Sequence, residues 1–272
     1  MAGERWWPRA TRADPDARCG GRRRGLLDSV VDAVVERICA GCRRGRGPWC
    51  PDCAPALRCP PFPVRLRPYP EYLPQVHAAA VYEGVVREAL IAFKDHGRWS
   101  LRGSLGDALA TAVAAALLEV ADPPARGYVA SESAAPYSGA SSALDPGCMS
   151  VSLVPVPGSP GSARLRDGDH VRELAARAVT VLRAQGVDAR VVPAVVSARR
   201  RGDQVGLGRV ARAANLSGAM AVTRTALGLA GVVLVDDLLT TGATLGEAAR
   251  ALRAAGVTPL AAAVVAATAP RG

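Results

Sequence analysis

The chain has 272 residues, 49% of them hydrophobic but only 4% aromatic, so it can bury the core of one large domain or of a domain plus a small module, built mainly from Ala, Val and Leu. Its net charge of +10 is uneven: residues 1–67 hold fourteen Arg against seven Asp and Glu, and the whole chain has a single lysine, Lys94. No apolar stretch follows the N-terminal charges as in a secretory signal. The most apolar run, Leu105–Val120, is short for a membrane span and carries Asp107 and Glu119; the expectation is a soluble, cytoplasmic protein with no membrane span.

Residues 1–25 are rich in Arg, Gly and Pro without apolar periodicity and read as a disordered basic arm. Such an arm either attracts a polyanion such as nucleic acid or is simply solvated. Leu27, Val30, Val31, Val34, Val35 and Ile38 recur at helical spacing, which predicts a short helix over Leu26–Ile38 leading into a module ending near residue 64. Within it, Cys39-Ala-Gly-Cys42 and Cys50-Pro-Asp-Cys53 form two CxxC knuckles seven residues apart. Four thiolates so placed can close a tetrahedral zinc site, whereas two knuckles this close are rarely both redox pairs. Cys19, Cys59 and Cys148 read as free thiols. A proline-stiffened connector follows, from Cys59-Pro-Pro-Phe-Pro to Arg67-Pro-Tyr-Pro.

The main domain reads as 75–272. Val76–Tyr82 is a strand, Gly84–Lys94 an amphipathic helix and Ser100–Val120 an Ala-rich helix, before a low-complexity insertion at 122–150. Ser152–Val156 is a buried strand ending in Pro155-Val-Pro157, Asp169–Arg183 a helix and Arg190–Pro193 a short strand. Val232–Asp236 is a β-branched strand, Gly242–Ala255 a helix and Pro259–Ala267 a last strand. This alternation predicts an α/β fold with a doubly wound, mainly parallel sheet, preceded by the small zinc module.

After the Val232 strand come Asp236, Asp237, Leu238 and Leu239, then Thr240, Thr241, Gly242, Ala243 and Thr244. Ligands of open α/β sheets bind beyond the carboxyl ends of strands. Backbone amides of Thr240–Thr244 at a helix start suit a phosphate, with Thr hydroxyls as further donors and Gly242 allowing close approach. Asp236 and Asp237 are suited to accept from the two hydroxyls of a ribose. The loop has neither the GxxxxGK[ST] of a Walker loop nor a GxGxxG turn. A plain capped helix start is the alternative, but two adjacent Asp at a buried strand end are costly without a partner or ligand.

Val232-Val-Leu-Val-Asp-Asp-Leu-Leu-Thr-Thr-Gly-Ala-Thr244 resembles the PRPP-binding motif of type I phosphoribosyltransferases. With the four-cysteine module ahead of it, the chain resembles the ComF/GntX family. Tyr82–Gly97, Val154–Pro157, Arg166–His170 and the run from Asp203-Gln204 to Arg212 and Asn215 follow in that family's order. The resemblance implies that Asp236 and Asp237 hold the ribose hydroxyls of PRPP and Thr240–Thr244 its 5-phosphate. The loop after Pro157, Arg166 and Lys94 would then neighbour the pyrophosphate, and Mg2+ would arrive with PRPP. Asp167 departs from the pattern by replacing a glycine. Transfer of phosphoribosyl to a nitrogen base is the activity implied. Members are also tied to DNA uptake in competence, which implies single-stranded DNA or competence proteins as partners and a regulatory or inactive site. His77, His96 and His170 read as structural or solvated, with His170 the best placed for a site. Arg199–Arg201 reads as a solvated run or as a contact for phosphate or a nucleic acid. Trp6, Trp7 and Trp49 beside arginines give a weak stacking signal for single strands.

Overall fold

The computed structural model describes residues 38–122, 150–158, 169–197 and 218–269, which belong to one compact unit, Glu36–Gly272. The basic arm, most of the Leu26–Ile38 helix, residues 123–149 of the 122–150 insertion, Arg166 and Asp167, Arg199–Arg201 and the Asp203–Asn215 segment lie outside the described residues. So do Cys19, Cys148, Trp6 and Trp7. At the helix's predicted end, Ile38 instead makes an isolated antiparallel bridge with Arg46.

In chain order the elements are β1 (Phe62–Pro63), β2 (Val76–Val81), α1 (Gly84–Asp95), α2 (Arg102–Ala121), β3 (Val151–Pro155), α3 (His170–Ala184), β4 (Ala189–Val191), β5 (Val195–Ser197), β6 (Met220–Val222), β7 (Val232–Leu239), α4 (Ala243–Ala254) and β8 (Ala261–Ala267). Six strands form one sheet in the order β1-β2-β8-β7-β3-β4, parallel throughout except for β1 against β2. The short β5 and β6 pair antiparallel as a separate ribbon; at three residues each they carry no legible alternation.

Both sheet faces are covered, as the continuous apolar runs require. Val233, Val235, Ala263 and Val265 face a core filled by α2 and α3, whereas Val232, Leu234, Ala262 and Val264 face α4. The strand β8, Ala-Ala-Ala-Val-Val-Ala-Ala, is wholly buried although alanine is a poor strand former. Its place between β2 and β7 supplies ladder bonds on both edges, and the small side chains let α2 lie close. Trp99–Ala121 is long and apolar enough to cross a membrane by length and composition. In this fold Leu105, Leu109, Ala112, Val113 and Ala116 bury it against the sheet and α3. A Cβ on Gly106 would lie 2.5 Å from Arg177, so glycine is what permits this approach, and Arg177 pairs with neighbouring Asp107 at 2.7 Å.

One boundary changes the chemistry. The sequence ends the strand at Asp236, but β7 continues to Leu239, because Leu238 and Leu239 still pair with Ala266 and Ala267 of β8. The two carboxylates therefore lie within a strand, and consecutive side chains leave opposite faces.

Candidate functional site

The four-cysteine cluster is built by two tight turns. Cys39 and Ala40 donate backbone hydrogen bonds to Gly45 and Pro48, and Cys53 and Ala54 to Cys50. All four sulfurs lie within 4.8 Å of one another. Cys39–Cys53 is 3.7 Å and Cys42–Cys50 is 3.6 Å, too long for disulfides and close to the roughly 3.8 Å edge of a tetrahedron with 2.3 Å zinc–sulfur bonds. Amides of Gly45 and Cys50 point at the sulfurs of Cys42 and Cys39, each at 3.4 Å. The Gly45 and Arg44 amides pull Cys42 down to about 6, while burial and the neighbouring sulfurs push Cys53 up. A set of buried thiols that cannot ionise together without a cation fits a structural zinc ion. Cys59 is exposed, its thiol turned to the Pro55 carbonyl, and is not in the cluster.

The module is docked on α1. Trp49 and Val85 close over Gly41, where a Cβ would meet them at 2.7 and 2.9 Å. Arg43 pairs with Glu88 at 3.0 Å, and Arg98, just past the helix, donates to the Ile38 carbonyl at 2.6 Å. Trp49 is thus a packing residue of the module.

The second site follows from topology. After β3 the chain enters α3 on one face of the sheet; after β7 it enters α4 on the other. The two strands are neighbours, so the crevice beyond their carboxyl ends is the topological switch point where open α/β sheets bind ligands. Pro157 stands on the β3 side. Asp236, Asp237 and Thr240–Thr244 stand on the β7 side, so the structure brings these predicted residues to one edge.

The Thr-rich turn is short. Thr240 and Thr241 are exposed, and Gly242 is the N-cap of α4 with φ 75°, a left-handed conformation that glycine adopts without strain. No side chain caps the helix; the Ala243 amide lies 3.4 Å from Thr241 Oγ1. The first-turn amides of α4 lack intrahelical acceptors and lie at the positive end of its dipole. Leu66, Pro70 and Leu73 of the connector press on Gly242, a contact that the sequence did not signal.

Asp237 is buried and bonded to Lys94, whose Nζ is 3.1 Å from Oδ1 and 2.9 Å from Oδ2. Asp236 turns its Oδ1 back to accept from the Asp237 amide at 2.8 Å. Burial, followed by the adjacent Asp237 charge, raises the Asp236 pKa well above the usual carboxylate range. The two adjacent carboxylates therefore differ: Asp237 is held by the Lys94 ammonium, whereas Asp236 is held by a backbone amide.

Lys94, in the last turn of the α1 helix that starts just past β2, reaches Asp237 across 143 positions of sequence. His170 begins α3, capped by Asp169, whose Oδ1 accepts from the Arg172 amide at 3.1 Å. Its ring stacks on Trp99 at 4.6 Å, and Phe93 meets both rings edge-on. His77 is buried against Glu119 at 2.8 Å, and burial lowers its pKa against the pull of that carboxylate. His96 is exposed at the end of α1.

Sequence reasoning also missed Glu247. Buried on α4, it accepts from the Gly218 and Met220 amides and from Arg250 Nε at 2.7 Å, which ties the start of β6 to the helix behind the Thr-rich turn. Its position, three residues before an arginine on a helix, was the only available signal.

No protein-family model matches the chain, and no curated protein matches it. Fold and site together define a mainly parallel α/β protein with a four-cysteine metal module.

Proposed function

We propose that this chain is a phosphoribosyltransferase-like protein of the ComF kind that binds PRPP or a related ribose phosphate in the β3–β7 crevice. One observation carries the reading: the strand at the switch point carries two adjacent carboxylates, the second of them two residues before its end at Leu239, and is followed by a Thr-rich helix start that no side chain caps. Asp236 and Asp237 would hold the ribose hydroxyls, and the turn Thr240–Thr244 the 5-phosphate. Pro157 and Arg166 would neighbour the pyrophosphate, and Mg2+ would enter on PRPP. If turnover occurs, a nitrogen base displaces pyrophosphate from the ribose, and the residues contribute mainly by positioning and by stabilising charge on the departing group.

Exposed Arg43, Arg44, Arg46 and Arg58 on the module favour a second reading, contact with single-stranded DNA or a competence partner, with the ribose-phosphate site regulatory or inactive. Its signature is a strongly salt-dependent DNA affinity that is lost when residues 1–60 are deleted.

The deciding experiment is calorimetric titration of Mg-PRPP into the intact protein and into Asp236→Asn/Asp237→Asn. Binding that vanishes in the double variant supports the ribose-phosphate reading, and pyrophosphate release with a panel of bases then identifies the acceptor. Absence of binding to the wild type refutes it.

A further inference from the structure

Lys94 is the only lysine among 34 basic residues, and it sits on the buried Asp237 of the candidate site. An ammonium is a compact point charge on a flexible stem, whereas a guanidinium is a planar fork. The geometry uses that difference: a single nitrogen lies astride both carboxylate oxygens, at 3.1 and 2.9 Å. The lysine side chain keeps 41% exposure while its partner has 4%, so the pair stands at the border between core and crevice.

The position of that nitrogen is fixed from two sides. On one, the cysteine module grips α1 at its first turn through Trp49 and Val85, along its length through Arg43–Glu88, and past its end through Arg98 and Ile38. On the other, Phe93, next to Lys94, is fully buried and meets Trp99 and His170, the first residue of α3. Contacts therefore run without a break from the cysteine sulfurs through α1 to Asp237.

We propose that Lys94 is a positioning residue that holds Asp237 in place for ribose hydroxyls, and that the cysteine module, by clamping α1, sets where Lys94 sits. The module then acts as a brace for the ligand site, and loss of its metal loosens that site from a distance. The ligand half of this inference rests on the ribose-phosphate reading; the mechanical half does not.

Because Lys94 is unique, labelling the untagged full-length chain with 13Cε-lysine yields one side-chain resonance. The expected result is that Asp237→Asn shifts it, that chelating the metal shifts or broadens it, and that restoring zinc restores it. Lys94→Met should weaken ribose 5-phosphate binding by about tenfold or more while zinc content stays unchanged. Lys94→Arg should recover part of the affinity. A lysine resonance indifferent to Asp237→Asn or to chelation overturns the brace, as does Lys94→Met binding like wild type. If the wild type binds no ribose phosphate but the resonance responds to both perturbations, the ribose-phosphate reading fails and the brace stands.

Discussion

Replacing Gly242 by alanine tests whether the Thr-rich turn is held in shape by the connector above it. The residue has φ 75°, and an added Cβ would lie 2.7 Å from Leu66 Cδ1, 3.0 Å from Leu73 Cδ2 and 3.2 Å from Pro70 Cγ. The left-handed conformation costs a non-glycine residue about 1–2 kcal/mol. Overpacking adds about 1–3 kcal/mol, at the lower end here because the leucine methyls end flexible side chains. The sum is about 2–3 kcal/mol, or a fall in Tm of about 4–12 °C for a unit of this size. Gly256 provides the control: its φ is 81° and an added Cβ would meet nothing within 4 Å, so Gly256→Ala carries the backbone cost alone, about 1–2 kcal/mol. Urea unfolding of wild type and both variants, followed by circular dichroism, gives the comparison. If Gly242→Ala loses no more stability than Gly256→Ala, the connector does not press on the turn and the argument for a preset loop fails.

Three further outcomes follow from the site. Purified protein should carry about one zinc per chain, Cys39→Ser and Cys53→Ser should lose it by metal analysis, and acid should release it as the thiolates protonate. Asp236→Asn should abolish ribose-phosphate binding yet stabilise the fold at neutral pH. The Asp236 pKa is raised on folding, so its contribution is full below about pH 3.9 and lost as pH rises toward the folded value, and the variant's advantage in urea melts should grow over that window. Glu247→Ala should cost about 2–4 kcal/mol by removing the acceptor of two amides and Arg250. Burial alone would raise the Glu247 pKa, but Arg250 and the two amides outweigh it and lower the net value. The stability it confers is present above about pH 4.3 and lost as pH falls, so Glu247→Ala should differ least from wild type in acid.

The order of strands and helices, the paired CxxC knuckles and the Asp-Asp-Leu-Leu-Thr-Thr-Gly run were legible in the sequence because each depends on local spacing. A doubly covered strand reads as an unbroken apolar run, two turns can present four thiols, and a helix start declares itself by what precedes it. What depends on neighbours was not legible. The strand does not stop at Asp236, because pairing with β8 carries it on to Leu239; the β5–β6 ribbon is too short to show a period; and Ile38 joins a bridge where its spacing predicts a helix. The alternation of apolar residues could not show that β3 and β7 lie side by side with their helices leaving on opposite faces, which is what creates a crevice at the Asp pair. Nor could it reveal that Lys94, 143 positions from Asp237 in the chain, is carried to it by a helix braced on the cysteine module. Sequence alone determined which chemical groups the protein has and which short segments present them. Only tertiary structure decided which groups meet, because contacts between distant segments are set by sheet order and layer packing, which local patterns of residues do not encode.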